Sequence, residues 1–295
     1  MQNSFLYTIT VLIWGSTWLA ITFQLGVVDP AVSVAYRFFL ASILIFAYSF
    51  WRKLPLRFKA RDLQFMALQG AFLFSINYVL VYIAEQRVSS GLVAVIFSSL
   101  IILNALFGAL FLKRPIRSRV MIGALIGISG LAFIFWPEIS DFSLGDATLT
   151  GLLLTLISSI SASLGNIVSA RNQENGIPVI QNNAYGMLFG SILTAIVVLI
   201  RGATFSFDPS FSYIASLLYL ALFGSVIAFG SYLTLLGRIG ADRAAYITIL
   251  FPVIALALSA IYEGFSMSGF QFVGVALILL GNFLVLNKRK RPQSN

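Results

Sequence analysis

The chain has 295 residues, of which 59% are hydrophobic and only 10% charged, with a formal net charge of +9. Soluble domains average about 45–50% apolar and about 25% charged residues, so a water-soluble enzyme, a disordered chain and a DNA-binding domain are all excluded. A mean hydropathy of +0.95 makes this a polytopic membrane protein, and at about 20 apolar residues per span the length holds about ten spans.

Apolar runs between charged or Pro/Gly-rich breaks predict helices over 4–24, 32–51, 63–84, 90–112, 120–137, 148–170, 179–200, 212–236, 243–262 and 269–287. Lipid offers no hydrogen bonds to a backbone, so each run is expected to be helical despite its Ser, Asn or Gly residues. The period-2 alternation of an outer-membrane barrel is missing. Segment 1–10 lacks a basic stretch before the first apolar run, which argues against a cleaved signal peptide.

The connections divide sharply by charge. One alternating set carries Arg52, Lys53, Arg57, Lys59, Arg61, Lys113, Arg114, Arg117, Arg119, Arg171, Arg238, Arg243, Lys288, Arg289, Lys290 and Arg291; the other carries only Arg87 and Arg201. The positive-inside rule then predicts that both termini are cytoplasmic, in a plasma membrane (a bacterial inner membrane) crossed an even number of times. The excess charge is a topology signal, with no nucleic acid expected as a partner.

The halves resemble each other. The stretch from Ala35 through Arg37 to Leu44 aligns with that from Ala184 through Gly186 to Leu193 at an offset of 149, and Tyr82 aligns with Tyr232 at 150. Gly123 and Gly130 align with Gly274 and Gly281 at 151. The expected fold is therefore an all-α integral membrane protein of ten transmembrane helices in a five-plus-five inverted repeat. Its units are 1–137 and 148–287, followed by a basic cytoplasmic tail, 288–295. Such repeats are common in secondary transporters, whose substrate sites lie near the midplane between the halves.

Trp14-Gly15-Ser16-Thr17 in the first span, Ala35-Tyr36-Arg37 in the second and the Gly-rich fifth and tenth spans, taken with the layout, resemble the EamA-like family of the drug/metabolite transporter superfamily. The resemblance implies an inner-membrane exporter of amino acids or other small metabolites. The chain departs from the family pattern at Lys113-Arg114-Pro115, where an acidic residue is common, and at Ser98-Ser99, where a Pro is common. The second half keeps Glu263 and Pro252 at the corresponding places.

Arg37 is the one charge well inside a predicted span, about 10 Å beyond Pro30 at 1.5 Å per residue. An intramembrane Arg is costly and marks a functional candidate. Its guanidinium suits a carboxylate or phosphate; the competing readings are an interfacial anchor and an ion pair with Glu85. Further substrate-binding candidates are Trp14 in the first span, Asn77, Tyr78 and Tyr82 in the third, Ser98 and Ser99 in the fourth and Tyr232 in the eighth. Ser75, Asn104 and Ser225 belong to the same polar set, for which interhelical hydrogen bonding is the competing role. Gly15 and Pro252 are candidate hinges, since a helical Pro frees the carbonyl four residues before it. The glycines of the fifth and tenth spans suit close helix packing.

With no Cys and no His, thiol and imidazole chemistry is absent, and no metal site, cofactor or catalytic residue is expected. No acid lies at midplane, so facilitated diffusion or exchange is favoured over coupling through a buried carboxylate. The expected activity is alternating-access transport of a small molecule, with the lipid bilayer as the other partner; nothing indicates a homodimer, although one is compatible. A channel or structural subunit, or an enzyme on lipid substrates, is the alternative.

Overall fold

The structure is a computed structural model that describes residues 2–87, 93, 96–140, 146–262 and 269–286. Glu263 and the tail at 288–295 lie outside the described residues, as do the side chains of Trp18 and Glu138. Ten long helices follow one another: α1 (Asn3–Thr22), α2 (Pro30–Trp51), α3 (Ala60–Glu85), α4 (Leu100–Leu112), α5 (Ser118–Ile134), α6 (Asp146–Glu174), α7 (Val179–Ile200), α8 (Phe211–Ile239), α9 (Ile247–Tyr262) and α10 (Gly269–Leu286). No strand occurs among the described residues. Six of the helices, α2, α3, α6, α7, α8 and α10, are long and apolar enough to cross a membrane, and α4 and α5 are shorter apolar helices.

Local chemistry sets the helix ends. Asp29 caps α2 by accepting from the Ala31 amide at 2.8 Å, with Pro30 in the first turn, where its missing N–H costs nothing. Ser210 caps α8 through the Tyr213 amide at 3.3 Å. The helix predicted over 90–112 is interrupted at Ser98-Ser99. There the bonds from the Ser99 amide to Ile96 O (3.0 Å) and from the Ile101 amide to Ser98 O (3.3 Å) span three residues instead of four. The sixth helix is longer than the predicted 148–170, reaching Glu174.

Two helices carry π-helical segments in their middle, Gly70–Ile76 in α3 and Leu220–Ile227 in α8. Hydropathy gave no sign of either. A π segment widens the helix and loosens the ladder, a feature frequent at functional sites. In α8 the Ser225 hydroxyl donates to the Leu220 carbonyl five residues back, at 3.0 Å.

Packing follows the small residues. A Cβ built on Gly130 would lie 2.6 Å from the Gly274 carbonyl oxygen, and one on Gly274 would lie 2.6 Å from that of Gly130. Gly123 and Gly281 make the same reciprocal approach at 2.8 and 2.6 Å. The paired glycines therefore bring the α5 and α10 backbones together, as their spacing predicts. Tyr246, at the start of the α9 region, wedges in beside Gly127 and Gly281 and donates to Ile278 O at 3.0 Å.

A second rigid assembly joins α3, α6 and α7 through buried amides. Asn172 Nδ2 donates to Asn182 Oδ1 at 3.0 Å, Asn182 Nδ2 to Gln69 Oε1 at 2.5 Å and Gln69 Nε2 to Asn183 Oδ1 at 3.4 Å. All four residues are at most 1% exposed. Asn182→Leu would leave Asn172 and Gln69 buried with unmet hydrogen bonds. It is expected to cost about 2–3 kcal/mol, read as a lower melting temperature in detergent.

Candidate functional site

The π segments flank the polar centre of the bundle. A cavity of about 700 Å³ opens there, lined by Trp14, Thr17 and Ile21 of α1, Arg37 of α2, Leu73, Asn77, Tyr78 and Val81 of α3, and Phe97 and Leu100 at the start of α4. Ala162 and Asn166 of α6, Phe229 and Tyr232 of α8, and Thr248 and Phe251 of α9 complete it.

Arg37 is the cation of this cavity and is 1% exposed. Its Nε donates to Ser225 Oγ of the α8 π segment at 2.9 Å. The guanidinium carbon lies 4.9 Å from the Tyr78 ring centre and 5.3 Å from that of Phe38, cation–π distances. Gly224 makes room for it: a Cβ there would lie 3.1 Å from Nη2 and 3.0 Å from the Thr17 methyl. Nη1 is buried and has no hydrogen-bond partner. The Tyr78 and Tyr82 phenols are close enough to interact with the guanidinium charge, yet neither completes a bond to Nη1.

The expected Arg37–Glu85 ion pair does not form. Among the described residues the ion pairs are Arg114–Glu174, Arg117–Asp242 and Arg201–Asp29, and the buried Glu85 Oε1 has no hydrogen-bond partner. The reason is direction: Arg37 points across to α8, where a glycine and a serine receive it, whereas Glu85 ends α3. Ser225 occupies Nε, so a ligand meets the terminal nitrogens.

The aromatic candidates come together. Trp14 Nε1 donates to Gly224 O in the π segment at 3.2 Å, and its ring stands 5.0 Å from both Phe229 and Tyr232. Asn77 holds α3 to α6 by accepting from Ser158 Oγ at 2.7 Å, so its amide oxygen is engaged. Tyr82 lies outside the lining, fully buried and donating to Gln24 Oε1 at 3.3 Å. Ser98 and Ser99 also lie outside the lining, at the break that precedes α4. Gly15 is a close contact between α1 and α9: a Cβ there would lie 2.7 Å from Ile254 Cβ and 3.2 Å from Phe251 O. Pro252 is inside α9 beside that contact.

Asn166 was not among the sequence candidates. Its Nδ2 donates to Tyr232 OH at 3.0 Å and approaches Asn104 Oδ1 at 3.4 Å, while its Oδ1 is buried and unpartnered. Asn104 in turn accepts from Ser163 at 2.8 Å and donates to Ala241 O at 3.1 Å. Beyond Asn104 lies a second cavity of about 340 Å³, lined in part by Arg114, Arg117 and Asp242. The Asn104–Asn166–Tyr232 chain thus separates the central cavity from one beneath the basic connections. The signal for Asn166 was its neighbourhood, a stretch of α6 rich in hydroxyls: Ser158, Ser159, Ser161, Ser163 and Ser169.

An apolar helical bundle around a buried polar and aromatic cavity defines the class, a multispan membrane protein. The model of the EamA-like transporter family matches residues 4–136 and again 149–287, and the chain belongs to that family of the drug/metabolite transporter superfamily. It is similar to the uncharacterized inner membrane transporter YedA of Escherichia coli, at 30% identity over 93% of this chain and 87% of that protein. It is also similar to the protein PagO of Salmonella typhimurium, at 27% identity over 98% of this chain and 94% of that one. An uncharacterized transporter of Archaeoglobus fulgidus is 24% identical over 98% of this chain and 100% of its own length. A solved crystal structure shares the fold with a TM-score of 0.81 at 18% identity, covering 96% of each chain. The protein is a membrane transporter.

Proposed function

We propose that the protein is a secondary transporter that moves small organic metabolites, amino acids or related solutes, out of the cell by alternating access. The central cavity is the substrate site, and no catalytic step is involved. The observation that carries this reading is the buried Arg37 in a cavity walled by α1–α4 together with α6, α8 and α9. A charge without a counter-ion inside a bundle is expensive, and a passing anionic group would relieve it.

The ten helices are read as ten spans in two inverted halves, 1–137 and 148–287, with both termini and the tail 288–295 cytoplasmic. Support comes from the two family matches and from π segments at matching places in α3 and α8. Side chains also interlock reciprocally. Arg37 of α2 fits over Gly224 of α8, while Gly186 of α7, which aligns with Arg37, receives the Phe74 ring of α3, at 3.2 Å from a built Cβ. On this reading the Arg117–Asp242 and Arg114–Glu174 pairs and the Asn104–Ala241 bond close the cytoplasmic side. Gly15 against the Pro252 region of α9 is the joint that moves. Among the described residues the lining contains no carboxylate, which supports exchange or facilitated movement over proton coupling.

The test is counterflow. Proteoliposomes loaded with a mixture of unlabelled amino acids are expected to accumulate external labelled amino acids transiently and saturably. Flux without saturation or overshoot would make the protein a pore.

A further inference from the structure

Two atoms in the central cavity have no hydrogen-bond partner, and they are complementary. Arg37 Nη1 is a charged donor and Asn166 Oδ1 is an acceptor; both residues are 1% exposed and both line the same space. Native proteins satisfy nearly all buried polar groups, and a buried cation without a partner is the costliest exception. The remaining wall is aromatic or aliphatic, with Trp14, Tyr78, Phe229 and Phe251 prominent.

We infer that the cavity binds a small organic monocarboxylate: its carboxylate meets the terminal edge of Arg37, its hydrogen-bond donor meets Asn166 Oδ1 and its apolar or aromatic body fills the ring-lined wall. This rests on the transport reading and names the substrate chemistry of the same site. One fixed cation neutralises one negative charge, so a doubly charged phosphate or dicarboxylate leaves a net charge in a low-dielectric space. A cation lacking a carboxylate is disfavoured more strongly, since it faces Arg37 with no anion in the lining. The donor is required for a different reason: without it, Asn166 Oδ1 stays buried and unmet in the complex. A 2-hydroxy acid presents both groups with a single charge; an α-amino acid presents them too, but its ammonium restores the net charge that its carboxylate removed.

Four probes sharing one phenyl body separate these demands: 3-phenyllactate, phenylalanine, 3-phenylpropionate and 2-phenethylamine. Binding is measured calorimetrically on the purified, detergent-solubilised full-length protein. 3-Phenyllactate is expected to bind best, with phenylalanine weaker for its extra charge, 3-phenylpropionate about tenfold weaker for want of the donor and 2-phenethylamine weakest. Arg37→Lys should weaken the carboxylates about tenfold or more. Asn166→Leu should abolish the preference for 3-phenyllactate over 3-phenylpropionate, a change in ratio that general damage to the fold would not produce. The unmodified protein alone keeps the idea falsifiable, because the four probes rank without any variant. Binding of 2-phenethylamine as tight as that of 3-phenylpropionate, or binding of none of the four, overturns the inference. Ordered binding without counterflow leaves the ligand assignment standing and removes the transport reading. Counterflow indifferent to the carboxylate does the reverse.

Discussion

Gly130→Val is expected to destabilise the protein by about 3 kcal/mol, read as a marked fall in melting temperature and loss of the monodisperse detergent-solubilised form. The argument is steric. A Cβ at this position meets the Gly274 carbonyl oxygen at 2.6 Å, Ile278 Cγ1 at 2.8 Å and the Ile278 amide nitrogen at 3.0 Å. Two of those three atoms are backbone and cannot step aside by changing rotamer, so α5 and α10 must separate along their length. Without hydrophobic drive between helices in lipid, the contact is held by van der Waals packing that falls off steeply with distance. Gly230→Ala is the control: nothing lies within 4 Å of a Cβ there. In the middle of α8 that change should stabilise slightly, by about 0.5–1 kcal/mol. Equal behaviour of the two variants would remove close backbone approach as the basis of the α5–α10 seam.

Arg37→Leu has the second large effect, and it separates function from stability. Flux is expected to fall about a hundredfold or more, because the group that meets the substrate anion is gone. The melting temperature is expected to rise, equivalent to about 2 kcal/mol, because a buried charge without a counter-ion is replaced by an apolar side chain. Ser225 loses a donor but keeps its bond to Leu220 O. An anchor would behave in the opposite way, with lower stability and flux reduced only in proportion to folded protein. The two measurements on one variant therefore decide which role Arg37 has.

Composition and the apolar runs made the helices legible, because burial in lipid demands length and hydropathy that no loop supplies. The α5 and α10 glycines were legible too, since small residues at helical spacing have few uses in a membrane other than close approach. Arg37 stood out by its depth. Its partners did not, because helical spacing says which face a residue occupies but not which neighbour that face meets. The sequence offered Glu85 at the end of the third span as a counter-ion, yet Gly224 and Ser225 receive the guanidinium. The π segments were hidden for a related reason: an extra residue per turn at Gly70–Ile76 and Leu220–Ile227 leaves the average hydropathy untouched. Asn166 was obscured among many serines, a residue type whose hydroxyl can be satisfied within its own helix, as that of Ser159 is by Thr155 O at 2.9 Å. A side-chain amide cannot be satisfied so simply, and that chemical difference was the available signal.

Alternating access requires that one cavity open in turn to each side of the membrane. The chain has no cysteine, so Thr248→Cys places a single thiol in the cavity wall. Labelling with a membrane-impermeant maleimide, in intact cells and in inside-out vesicles, reads its access from each side. The account predicts labelling from both sides, with a saturating gradient of 3-phenyllactate slowing each. Reactivity from one side alone, unchanged by the direction of that gradient, would contradict it.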